Sequence, residues 1–252
     1  MRPRILGFFL IIAALVALPA FSRGSLTEEF HQTYTVSPHA RISLNNINGD
    51  VEIVATDGNQ VKVDAIKSAD SQQKLDEARI NVDATSDSIT IETKYVPHRF
   101  NNNDPASIDY KISVPRDAEL DGIDLVNGKL NVNGVRGDVS ASCVNGTLTA
   151  SGLAGEAKLS TVNGKLEATF DQVDNTNKIS LNSVNGSIVL SAPNNLNASI
   201  DANTISGHIS NDFGFEETGK HFVGHHLSGT LGSGTTRIEL SNVNGSISIR
   251  RL

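Results

Sequence analysis

Three groups of residues carry side chains that could do chemistry. The first is His221, His225 and His226, where two imidazoles four apart and an immediate neighbour could ligate a zinc ion if a loop folded them together. No Cys or carboxylate stands beside them at ligand spacing, so the alternative is a solvated, partner-facing loop. The second is Asp138 and Glu156, which occupy the same place in two copies of a repeat. Stacked one above the other, such a pair could serve acid–base glycoside chemistry or bind calcium; otherwise they are solvated turn residues. The third is Cys143, the single cysteine of the chain, which rules out an intrachain disulfide framework and reads as a small residue inside the repeat. No phosphate-binding loop, redox cysteine pair or nucleophile elbow is present, and no local arrangement selects a Ser, His and Asp from among the many. The expectation is therefore no catalytic residues and no cofactor.

These residues are positioned by a periodic sequence. Gly128, Gly137, Gly146, Gly155 and Gly164 recur every nine residues. Two places after each comes Leu130, Val139, Leu148, Ala157 or Leu166, and four places after comes Val132, Ala141, Ala150, Leu159 or Ala168. The intervening places are polar, so each copy alternates with the period of a strand that is buried on one face. Alternate copies are entered differently. Val126-Asn127-Gly128, Val144-Asn145-Gly146 and Val162-Asn163-Gly164 share one turn chemistry. Gly134 to Gly137 and Gly152 to Gly155 share another. The repeating unit is thus a pair of nine-residue copies, with two strands and two unlike turns, as one coil of a flattened parallel solenoid requires.

An antiparallel meander is the competing architecture, because Asn-Gly between alternating strands is a strong hairpin signal. It does not account for two turn chemistries in alternation. A solenoid does, since like turns stack and their asparagines can share hydrogen bonds. The motif recurs at Asn48-Gly49, Asn185-Gly186, Ser206-Gly207 and Asn244-Gly245. The expected turn ladder is Asn48, Gly49, Asn127, Gly128, Asn145, Gly146, Asn163, Gly164, Asn185, Gly186, Asn244 and Gly245. The interval from Gly207 to Gly245 is too long for one coil and predicts two, with an insertion at about 211–234. Residues 23–120 read as a β-rich N-terminal cap with a first coil, including strands over 60–66, 89–94 and 108–114, a short helix within 68–79 and a loop over 97–105. The stretch 121–252 reads as the solenoid, in coils of roughly 18–22 residues, a length typical of short solenoid repeats. The fold class is all-β.

Composition agrees. Aromatic residues make up 5% of the 252 positions, there is no Trp, and 21 residues are Gly. Such a chain has to bury small aliphatic side chains in thin regular layers. At the N-terminus, basic Met1 to Arg4, apolar Ile5 to Leu18, Pro19, and then Ala20-Phe21-Ser22 form a signal-peptide pattern over residues 1–22. A run of about 14 residues is short for a bilayer span of about 20, though an uncleaved anchor is the alternative. No Cys follows the run to carry a lipid. Cleavage after Ser22 leaves 19 basic against 28 acidic residues and a net charge of −9, which argues against a nucleic-acid partner. The expected location is extracytoplasmic.

Together, residues 42–53 (Ile-Ser-Leu-Asn-Asn-Ile-Asn-Gly-Asp-Val-Glu-Ile), the repeated Val-Asn-Gly and the closing 232–249 make the chain resemble the bacterial putative-adhesin family related to head GIN domains. The resemblance spans about 35–252. It implies a right-handed, exported β-solenoid with no catalytic residues. The rigid ladder of Asn, Ser and Thr makes a non-enzymatic surface or scaffold module the leading expectation, with a cell-wall glycan or an envelope protein as partner through many weak hydrogen bonds. A polysaccharide-acting β-helix enzyme and a self-assembling structural protein are the alternatives. The latter is motivated by the chain ending soon after a strand at 247–252, which would leave an uncapped edge.

Overall fold

The computed structural model describes residues 25–96, 105–173, 178–216 and 224–252. The leader 1–22, the loop over 97–104 and His221 lie outside them. Strands β1 (Leu26–Thr35), β2 (Arg41–Asn48), β3 (Val51–Thr56) and β4 (Gln60–Ala69) precede helix α1 (Gln72–Glu77). Strands β5 (Ala78–Ala84), β6 (Ser88–Tyr95) and β7 (Ser107–Pro115) follow it. The regular block is β8 (Glu119–Asn127), β9 (Leu130–Asn133), β10 (Val139–Asn145), β11 (Leu148–Leu153), β12 (Ala157–Asn163), β13 (Leu166–Phe170), β14 (Lys178–Asn185) and β15 (Ile188–Ala192). The chain continues through β16 (Ala198–Ser206), β17 (Ile209–Asn211), β18 (His225–Thr230), β19 (Thr236–Asn244) and β20 (Ile247–Arg251).

These strands form two ten-stranded sheets. In the block, each strand pairs in parallel with the strand two along the chain, so Val139 faces Ala157 and Leu148 faces Leu166. Both steps equal the separation of 18 that joins Asn127 to Asn145. The next coil is longer, taking Ala157 to Ile179, a separation of 22 that also joins Asn163 to Asn185. The inner faces of both sheets contribute to one buried cluster of Leu, Ile, Val and Ala, with Phe170 its largest fully buried side chain. Period-2 alternation does this directly, because every second side chain of a strand points the same way.

The order in space departs from the order along the chain at both ends. β2 and β3 do not lie outermost: β2 pairs with both β6 and β8, and β3 with both β7 and β9. Antiparallel strands close that end, with β1 on β4, β4 on β7, and β5 on β6. At the other end β19 lies between β14 and β16, and β20 lies between β15 and β17. The expectation of two successive coils between Gly207 and Gly245 is corrected accordingly. The chain overshoots by one coil, β18 pairs antiparallel outside β16, and β19–β20 then fills the gap left behind. Ile238 continues the row of Ile179 and is itself continued by Ile200 of β16, while Leu240 continues the row of Leu181 and the smaller Ala202 of β16 stands beside Leu227, which closes the end. The strand at 247–251 is therefore interior to its sheet, and the sheet ends instead on the short β17 (Ile209–Asn211).

Candidate functional site

The turn asparagines form one continuous ladder. Asn127 donates from Nδ2 to Oδ1 of Asn48 at 2.8 Å, Asn145 to Asn127 at 2.9 Å, and Asn163 to Asn145 at 2.8 Å. Asn185 donates to Asn163 at 3.0 Å and Asn244 to Asn185 at 2.9 Å. Beneath it runs a backbone ladder in which the turn glycine N–H donates to the asparagine carbonyl of the adjacent coil, as from Gly146 to Asn163 at 2.9 Å. The glycines themselves form a column. A Cβ on Gly146 would lie 1.7 Å from the carbonyl oxygen of Gly128, and one on Gly164 would lie 1.8 Å from that of Gly146. The ladder thus brings all twelve expected residues to one edge, and Ser206 takes the asparagine's place in the outermost coil.

Two outer faces flank this edge. On the sheet containing β9, β11, β13, β15 and β20, Asn131 stands opposite Thr149 and Asn133 opposite Ser151. Farther along, Thr169 stands opposite Ser191. The face carries hydroxyls and amides at the ~4.8 Å strand spacing, with Glu52, Glu167 and Val189 in the row of Asn131 and Thr149. The second sheet carries the row Asp124, Ser142, Ser160, Asn182, Ser241 and Asn203 on adjacent strands.

Between that second row and the asparagine ladder lies a line that sequence reasoning missed. Ile47, Val126, Val144, Val162, Val184, Val243 and Ile205 sit side by side on adjacent strands, each at least 36% exposed. A shallow depression of about 430 Å³ runs along its middle, over Cys143 and Thr161. Seven of the eleven exposed large aliphatic side chains among the described residues fall in this one line, so it is not random surface scatter. The signal was present in the sequence. Counting by twos from the buried Val139 makes Cys143 inward and Val144 outward.

The chemical candidates separate. Asp138 and Glu156 do stack, with the Glu156 backbone N–H donating to Asp138 Oδ1 at 2.9 Å. They line a groove of about 470 Å³ with Arg41, Glu119, Asp121, Lys158 and Lys178. Arg41 lies 3.3 Å from Asp121 and 3.7 Å from Glu119, so opposite charges are interleaved. His225 and His226 are consecutive on β18 and so point to opposite faces. His226 bonds to Asn203 at 2.6 Å, and the His225 ring meets His208 edge-on with centroids 5.8 Å apart. Among the described residues no group of three His, Cys, Asp or Glu side chains could hold a metal ion. Cys143 is buried, which pushes its thiol up, and its Sγ lies 3.5 Å from the Gly128 carbonyl oxygen. The inward place it occupies holds polar residues in other coils for the same purpose. Asn242 Nδ2 donates to the Gly186 carbonyl at 2.8 Å and Thr204 Oγ1 to the Gly245 carbonyl at 2.9 Å.

Against this geometry, residues 123–250 match the family model described as Toastrack DUF4097. The chain belongs to the Toastrack family. Among solved structures, this Toastrack chain is similar to a putative cell adhesion protein from Clostridium sporogenes at 15% identity, over 89% of this chain and 100% of that one, with a TM-score of 0.54. That likeness shows a shared fold. A putative adhesin from Bacteroides fragilis aligns at 12% identity over 89% and 97% of the two chains, with a TM-score of 0.37. A putative lipid binding protein from Parabacteroides distasonis aligns at 13% over 89% and 96%, with a TM-score of 0.35. No curated protein matches the chain. Among the described residues, no helix of this Toastrack chain is long and apolar enough to cross a membrane.

Proposed function

We propose that this chain is an exported, non-enzymatic β-solenoid that serves as an adhesin-like binding or scaffold module of the cell envelope. Residues 1–22 act as its signal peptide, 23–120 as a β-rich cap with the first coil, and 121–252 as the stacked coils. The observation that carries the reading is the lattice of Asn131, Asn133, Thr149, Ser151, Thr169 and Ser191 on one sheet face. These six groups are neutral, at least partly exposed and fixed at strand spacing, with Glu167 the acidic neighbour of Thr149 in the same row. Each offers one or two weak hydrogen bonds to sugar hydroxyls or peptide groups, and repetition supplies avidity. The name of the Clostridium sporogenes structure, a putative cell adhesion protein, agrees with this reading. Cell-wall glycan is the partner whose chemistry fits best, being itself a polar repeat.

The test is co-sedimentation with purified cell-wall sacculi. Retention that falls at least ~10-fold in Thr149→Lys/Thr169→Lys, with the fold intact by circular dichroism, supports the reading. No retention by sacculi, or retention indifferent to that face, refutes it.

A further inference from the structure

We propose that the apolar line on the second sheet seats one extended strand of an uncharged glycan, which crosses the coils with one sugar ring over each. The site lies on the sheet opposite the hydroxyl face described above, and its test is separate from the test of that face. Three observations select this occupant.

The first is shape. The line crosses seven adjacent strands, ~29 Å at the ~4.8 Å strand spacing, and is one side chain wide. With the asparagine ladder beside it the strip covers roughly 300 Å², whereas a specific protein interface takes about 800 Å² from each partner. That is too little for a folded partner and enough for a single polymer strand. The depression along the line already has this form, being a trough that crosses the neighbouring strands β10, β12, β14 and β19. An equatorially linked pyranose chain advances by about one strand spacing, ~4.8 Å, per ring. Successive rings therefore meet successive coils in the same way.

The second is the cross-section. One wall of the trough is formed by Val144, Val162 and the valines of the next two strands, and the other by Ser142, Ser160, Asn182 and Ser241. Beyond the valines stand the ladder amides. Asn145 gives one Nδ2–H to Asn127 and accepts one from Asn163, which leaves it a second N–H and a lone pair. A pyranose chair has the matching form, with C–H groups on its faces and hydroxyls around its edge. Laid on the line, its face covers valine methyls while its edge reaches the serine row on one side and the asparagines on the other. An alkyl chain would cover the valines but desolvate the serine wall without a hydrogen bond in return, which is costly.

The third is charge. Every residue lining the trough is uncharged. The polar row stays neutral over five strands, through Ser142, Ser160, Asn182, Ser241 and Asn203. A carboxylate or phosphate finds no cation in the trough, so the ligand is a neutral sugar chain. Valine methyls hold each ring weakly, and affinity accumulates along the strand.

The probe is a series of β-1,4-linked N-acetylglucosamine oligomers of increasing length, titrated into the full chain and followed by NMR of the valine methyls. The expected result is that Val144, Val162 and Val184 shift together, and that affinity rises about 2- to 4-fold with each added ring. Val162→Lys and Val144→Lys, each checked for intact fold by circular dichroism, should weaken binding at least ~10-fold, while Thr149→Lys on the other sheet leaves it unchanged. No binding by the longer oligomers overturns the proposal, as does binding that stops strengthening at the disaccharide or is indifferent to both valine variants. Sacculi retained through Thr149 and Thr169 by a chain that binds no oligomer would overturn this site and spare the reading of the opposite face. Fatty acid that binds along the line and is lost with Val162→Lys, where the oligomers do not bind, also overturns it and assigns the line to an alkyl chain.

Discussion

Replacing Gly146 by alanine tests the stacking of the turns with one methyl group. The residue has φ +155°, and a Cβ there would sit 1.7 Å from the Gly128 carbonyl oxygen, 2.8 Å from its carbon and 3.3 Å from Cys143 Sγ, where ordinary contact begins near 3.4 Å. The obstacle is backbone of the adjacent coil, which no rotamer change relieves. Admitting the methyl means opening the stack by well over an ångström at that edge, and that weakens the bonds across the same interface from Gly128 N to Asn145 O at 3.1 Å and from Leu130 N to Thr147 O at 2.9 Å. Two such bonds contribute about 1 kcal/mol each, and the unfavourable φ adds about 1–2 kcal/mol. The total is about 3–4 kcal/mol, or a melting temperature lower by about 6–16 °C for a chain of this size. Gly58→Ala is the matched control, since Gly58 has φ +114° and nothing within 4 Å of the added carbon. It should lose only the conformational component, about 1–2 kcal/mol. The assay is thermal and urea unfolding followed by circular dichroism. If Gly146→Ala melts no lower than Gly58→Ala, the glycine column does not hold the coils at contact distance and the reasoning fails.

Asn145→Ala removes two links of the side-chain ladder and Asn244→Ala removes one, so urea titration should show losses of about 1–3 and 0.5–1.5 kcal/mol respectively. Equal losses would mean that the amides are solvated individually. Cys143 should react with a thiol reagent at least ~10-fold more slowly in the native protein than in urea at pH 8, because burial both shields and raises it. Rapid native labelling would contradict that placement. His31, bonded to Asp64 at 2.6 Å and to Glu29 at 3.2 Å, has its pKa raised above 6.5 by the Asp64 hydrogen bond first and the Glu29 one second. Because the folded value is the raised one, its contribution is fully present below pH 6.5 and is lost as pH rises through the folded pKa. An NMR titration should place its midpoint above 6.5 and lower it in Asp64→Asn; a midpoint at or below 6.5 in the wild type would refute the pairing.

The central block was readable because its information is local. Leu148, Ala150 and Gly146 declare an inward row and a turn within five residues. The asparagine edge followed from the difference between Val144-Asn145-Gly146 and the turn over 152–155. The order of coils at the two ends was not readable. Asn244-Gly245 is the same motif whether it pairs beyond Gly207 or between Gly186 and Gly207, and the order is a matter of three-dimensional packing, in which Leu240 rather than Ala202 lies against Leu181. Likewise β2 declares itself a strand but not that it has a neighbour on each side. The candidate carboxylates were correctly paired from the repeat, while the interleaving of Arg41 came from a strand far earlier in the chain. The apolar line was overlooked because Val before Asn-Gly reads as turn punctuation, although a β-branched residue there also holds the strand extended up to the turn.

The intercalated coil sets an order of events. β16 and β17 are synthesised before β19 and β20, yet each has its parallel partner only in those later strands. Until residues 236–251 have been made, this stretch has no coil to dock on, and the exposed edge left by β14 and β15 stands open. A growing stack cannot add coils one by one in this region as simple repeat proteins do. Completion there is a single late insertion, closing a loop of about 60 residues between Asn185 and Asn244. A chain lacking residues 236–251 cannot complete its native strand pairing in this region.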